Sequence, residues 1–112
     1  MEIEVVGRKL RRRCEQEPEA TRAWGKRCAR KLFQRLAEFE ASETLVAVFK
    51  LPGARCHPLK GDRAGQFALD LFQARRLVFE PAGDLDVYME GGTLRPERVT
   101  AVRILEVVDY HG

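Results

Sequence analysis

The spacing of apolar residues changes period along the chain, and each change marks an element. Ile3 and Val5 alternate with Glu2 and Glu4, the two-residue period of a strand with one buried face, and Gly7 ends the run. Residues 8–15 then predict one or two turns of helix. Pro18 suits the first turn of the next helix, where its missing N–H breaks no intrahelical bond. From there to about residue 41, Trp24, Cys28, Leu32, Leu36 and Phe39 recur at spacings of four and three. One continuous helix with a single apolar stripe is expected, its opposite face carrying Arg22, Lys26, Arg27, Arg30, Lys31 and Arg35. Ser42 is placed to cap a short helix over residues 44–49, ended by Pro52 and Gly53.

The period returns to two in residues 55–81. Strand-like runs at 56–59, 66–71 and 76–80 are separated by turn signals at 60–65 and 72–75, which predicts a three-stranded meander. Phe67, Leu69 and Leu71 alternate with Gln66, Ala68 and Asp70, and Leu77 and Phe79 extend the apolar face. Arg76, Val78 and Glu80 are left on the other face, with His57 and Lys60 at its edge. Further on, residues 82–86 predict a turn, 85–89 a strand and 90–97 a loop. The nearly continuous apolar, β-branched run at 99–108 predicts a strand inside the sheet, buried on both faces. Regular alternation would put Arg103, Leu105, Val107, Asp109 and His111 on one face, and Val102, Ile104, Val108 and Tyr110 on the other.

A chain of 112 residues is expected to be one domain with a single core. It has no apolar run of about 18 residues and no secretory pattern at its start, so a cytoplasmic protein with no membrane contact is expected. Cys14, Cys28 and Cys56 lack the close paired spacing of a zinc site, so reduced thiols and no metal are expected. The net charge is only +3, but it is unevenly spread. Between residues 7 and 35 there are eleven Lys or Arg against three Glu, a segment charge of +8. Such a face is a solvated surface or a landing place for a polyanion or an acidic protein.

The order of strand, basic helical hairpin, meander and terminal strand, with HPLKGD (57–62), RRLVFEP (75–81) and EVVDYH (106–111), resembles the RelE/ParE superfamily of bacterial toxins, and within it the HigB-type toxins. The resemblance implies an α+β RelE-like fold, with an N-terminal strand and basic helical hairpin on a mainly antiparallel four- to five-stranded sheet. It also implies the toxin of a type II toxin–antitoxin pair, cutting mRNA on the ribosome and held inactive by a HigA-like antitoxin that alone would reach operator DNA. The family's functional positions fall on His57, Lys60, Arg76, Asp109, Tyr110 and His111, with Arg63, Arg75 and Arg103 as further phosphate-binding cations. No cofactor is implied. The chain departs from the pattern at Asp70, where many HigB-like toxins carry Arg, and in the length of residues 82–98.

RNA cleavage by its own 2′-OH needs a base for that proton, an acid for the leaving 5′-oxygen, and cations against the charge of the transition state. His57 and His111 are the only histidines, and imidazole exchanges protons near neutral pH. His111 is the expected base, oriented by Asp109, with Tyr110 as a competing base or stacking group. Lys60 and Arg76 would hold the phosphate, and His57 or Lys60 would supply the leaving-group proton. Chemistry alone also allows Tyr110 and His111 as a frayed tail, Tyr110 as a core residue if the strand stays regular, His57 as a turn residue, Asp62 as a turn cap, and Arg75 and Arg76 as cross-sheet partners of Glu80 or Asp70. Three functions survive: a ribosome-dependent nuclease, a ParE-like inhibitor of DNA gyrase without catalysis, and a basic RNA-binding module.

Overall fold

In the computed structural model, which describes residues 1–110, β1 (Glu2–Val5) leads through Gly7 into α1 (Arg8–Glu15), α2 (Glu17–Trp24) and α3 (Lys26–Ala41). The single helix expected from Pro18 onward is two helices. Gly25 lies between them at φ 87°, a left-handed conformation that glycine adopts without steric penalty, and the chain turns there. The apolar stripe survives the break: Cys28, Leu32, Leu36 and Phe39 are buried and Trp24 is half-buried. Arg35 is the exception to the basic face, since it is only 3% exposed, beneath the turn at Gly53, with Nη1 2.8 Å from Glu38. The short α4 (Leu45–Phe49) begins after Thr44, not under a Ser42 cap; the Ser42 hydroxyl donates to the Glu38 carbonyl at 2.7 Å and closes α3 instead.

The meander forms as β2 (His57–Pro58), a 3-10 turn over Gly61–Arg63, β3 (Phe67–Asp70) and β4 (Arg75–Pro81). The stretch expected to be a strand at 85–89 starts instead as one helical turn, α5 (Leu85–Tyr88). Asp84 caps it by accepting from the Asp86 N–H at 2.9 Å, and the Tyr88 hydroxyl folds back to the Ala82 carbonyl at 2.8 Å. The expected loop that follows contains a hairpin, β5 (Met89–Glu90) and β6 (Thr93–Leu94). Its turn is Gly91–Gly92, at φ 59° and 78°, a turn that needs positive φ at both positions.

The chain then enters β7 (Ala101–Asp109), which completes a five-stranded sheet in the order β1-β7-β4-β3-β2. Every pair is antiparallel except β1 with β7, so the expected α+β architecture with a mainly antiparallel sheet is the one observed. One face packs on the helices. Phe39 meets Phe79 edge-on with ring centroids 5.0 Å apart, and Phe67 stacks on Phe79 at 5.6 Å. Truncating either partner of such a wedge costs about 3–5 kcal/mol.

β7 is interior, as expected, but is not buried evenly on both faces, and its alternation is broken. Phe79 pairs with Ile104 while the adjacent Val78 pairs with Glu106, so Leu105 is an extra, bulged residue. The bulge reverses the expected faces beyond it. Arg103, Glu106, Val108 and Tyr110 now share one face, and Ile104, Val107 and Asp109 the other. Among the described residues no helix is long and apolar enough to cross a membrane.

Candidate functional site

The face of the sheet turned away from the helices is built from the even-numbered positions of β3 and β4 and their register partners. His57, Ala68, Val78 and Glu106 lie in one row across four strands, and Asp70, Arg76 and Val108 in the next. Glu80, Arg103 and Glu4 form the row beyond Val78. Ala68 and Val78 are fully buried here, so the long side chains of this face cover its apolar floor.

The charges on the face are cross-linked. Asp70 lies 2.9 Å from Arg55 Nε and 2.7 Å from Arg76 Nε. The second approach is close but lacks hydrogen-bond alignment at Oδ1, so the attraction there is mainly coulombic. Arg63 reaches over the sheet to Glu106 at 2.8 Å and to Gln66 at 2.9 Å. Arg103 is held between Glu80 at 2.9 Å and Glu4 at 3.1 Å. Arg63 donates to Glu106 and Arg103 to Glu80, which stabilises the guanidinium forms and pushes both pKa values up.

His57 sits on the short edge strand β2 and is exposed. Its Nδ1 is 2.8 Å from the Arg55 carbonyl oxygen. A carbonyl can only accept, so Nδ1 carries the proton, and in the neutral ring Nε2 is the acceptor nitrogen. Tyr110 is 52% exposed on the same face, with the Arg76 guanidinium 5.8 Å from its ring centroid. Its N–H is tied to the Ala74 carbonyl at 3.1 Å. A regular strand would have turned Tyr110 into the core; the bulge at Leu105 keeps it on the open face.

The structure gathers His57, Arg63, Arg76, Arg103 and Tyr110 on one face. Lys60 is exposed at the start of the 3-10 turn beside them. Arg75 and Asp109 are not brought there: they are register partners on the helix-facing side. Arg75 donates to the Trp24 carbonyl at 3.2 Å, satisfying a terminal acceptor of α2. Asp109 is thus on the opposite side of β7 from Tyr110, and His111 lies outside the described residues. Arg55 was not expected at the site. It stands 15 positions before its partner Asp70, and no local pattern links them.

Among the described residues no cluster of three or more His, Cys, Asp or Glu is placed to hold a metal ion. The three thiols stay protonated at neutral pH: burial pushes Cys14 up to about 11, Cys56 up to about 12, and Cys28 upward against the field of Arg75.

No protein-family profile matches the chain, and no curated protein sequence matches it. Among solved structures, it is similar to a YoeB/ParE toxin from Agrobacterium tumefaciens, with a TM-score of 0.61 over 99% of this chain and 100% of that one. At 14% identity the likeness concerns the fold, which is that of this toxin class.

Proposed function

We propose that this chain is the toxin of a type II toxin–antitoxin pair and that it cleaves mRNA in the ribosomal decoding site. What supports the reading is the face that carries His57, Arg76 and Tyr110 together, on a fold shared with a YoeB/ParE toxin. His57 Nε2 takes the proton of a ribose 2′-OH, whose oxygen attacks the adjacent phosphorus. The P–O5′ bond breaks, Lys60 protonates the leaving oxygen, and a 2′,3′-cyclic phosphate remains. Arg76 opposes the negative charge that grows on the phosphorane, and Tyr110 stacks on a neighbouring base. A HigA-like antitoxin covers the basic helices and carries any contact with operator DNA.

A second reading, gyrase inhibition without catalysis, is favoured by the cation pairing: Arg63, Arg76 and Arg103 are each ion-paired with a carboxylate. One paired assay separates the two. Purified ribosomes programmed with mRNA and a gyrase supercoiling reaction are each given the wild-type chain and His57→Ala. The nuclease reading expects mRNA cuts that fall by about 10²–10⁴-fold in the variant, with supercoiling untouched. Loss of supercoiling without mRNA cleavage would replace it with the second.

A further inference from the structure

Asp70 stands where the resemblance leads one to expect a cation, and its surroundings give it a different task. Its carboxylate draws in two guanidiniums, Arg55 from the loop before β2 and Arg76 from β4. Its own N–H donates to the Ala54 carbonyl at 2.7 Å, which pins that loop to the end of β3. Arg55 is held at φ 50°, a left-handed conformation that costs a non-glycine residue free energy and that a surrounding structure must enforce. The carbonyl of this same residue orients the His57 ring.

We infer that Arg55 and Arg76, spread by Asp70, form an anion fork that takes one phosphodiester of single-stranded RNA beside His57; this rests on the ribonuclease reading. The charge balance of the face singles out this cluster. Glu4–Arg103–Glu80 sums to one negative charge and Arg63–Glu106 to zero, whereas Arg55–Asp70–Arg76 keeps one positive charge. The two prongs are unequal. Arg76 is only 17% exposed and spends Nη1 on the Gln73 and Arg75 carbonyls, so Nη2 is its remaining donor group, whereas the Arg55 side chain is 70% exposed and makes no contact besides Asp70 among the described residues. The distance suits a nucleotide. The Asp70 row lies two residues along β3 from the row of His57, about 7 Å, so one phosphate in the fork places an adjoining ribose at the imidazole. Asp70 here trades one unit of anion attraction for a fixed geometry of two planar donors.

The sign of the Asp70→Asn effect separates this role from simple charge. The full-length chain is titrated with a 2′-O-methylated dinucleotide monophosphate, which carries one phosphodiester and is not cleaved, while arginine Nε–H signals are followed by NMR. The Arg55 and Arg76 signals are expected to shift together, and those of Arg63 and Arg103 to stay. Arg55→Gln weakens binding about tenfold and Arg103→Gln less than twofold. Asp70→Asn weakens it at least threefold, although the protein gains a positive charge. Unchanged or tighter binding by Asp70→Asn, or equal effects of Arg55→Gln and Arg103→Gln, overturns the fork. If Asp70→Asn does not fold, the contrast between Arg55→Gln and Arg103→Gln decides alone. Wild-type binding at Arg55 and Arg76 without mRNA cleavage removes the nuclease reading and leaves the fork. Cleavage and binding that both survive Arg55→Gln do the reverse.

Discussion

The helical layer and the open sheet face are both rich in arginine, yet they treat it in opposite ways. On α1 to α3 the exposed Arg8, Lys9, Arg11, Arg12, Lys26 and Arg30 make no ion pair among the described residues. On the sheet, Arg55, Arg63, Arg76 and Arg103 are each ion-paired with a carboxylate from another strand or loop. The difference follows from geometry. A helix offers partners only three or four residues away, and the basic runs place few acids there. A sheet brings distant segments side by side, so cross-strand acids find the cations. The helical layer therefore supplies attraction, which is long-ranged and salt-sensitive, while the sheet face supplies fixed positions.

The largest effect expected from this contrast is on polyanion affinity. On the proposed ribosomal role, replacing Arg11, Arg12, Lys26 and Arg30 by Gln should lower affinity for ribosomal RNA about 10²–10³-fold at low salt and flatten the log K against log salt slope by roughly 3. Arg63→Gln with Arg103→Gln should change the slope by less than about 0.5, and a salt series of filter-binding titrations measures both. Equal slopes for the two variants would erase the division.

A pair of deletions tests how the sheet face is aimed. Removing Leu105 takes out the bulged residue and leaves every downstream side chain on its present face, at a cost of about 1–2 kcal/mol by urea unfolding. Removing Val107 instead turns the residues beyond it over: Val108 fills the vacated helix-facing slot, so the stability cost should again be about 1–2 kcal/mol, but the Arg76–Tyr110 contact on the open face is lost. On the helical side, Glu38→Ala strands the buried Arg35 guanidinium. Its cost should be about 2 kcal/mol, below the 3–5 of a fully buried pair because Glu38 is 26% exposed.

The smallest effect concerns the thiols. Their folded-state pKa values lie above the unfolded value, so the neutral form is favoured in the folded chain and the stability this gives is complete below about pH 9. It drains away as pH rises toward 11–12, by at most about 1.4 kcal/mol per pH unit for each thiol. Cys14→Ala should make the alkaline limb of a stability–pH curve shallower.

The apolar periods of residues 2–5, 28–39 and 66–81 were enough to call the strands, the helical layer and the face each would bury, because burial on one side writes a repeat of two or about 3.6 into any chain. The resemblance of HPLKGD, RRLVFEP and EVVDYH points to His57, Arg76 and Tyr110, and the charge run points to a basic helical surface. Three decisions were out of reach of such patterns. Gly25 splits the helix without interrupting its stripe, so the period could not report it. The bulge at Leu105 swaps Tyr110 and Asp109 between faces, and it exists only in the pairing of β7 with β4. The Arg55–Asp70–Arg76 cluster joins a loop and two strands. Local sequence sets which residues can share an element, whereas the pairing of distant segments sets which charges meet, since coulombic and hydrogen-bond partners are chosen by distance in space.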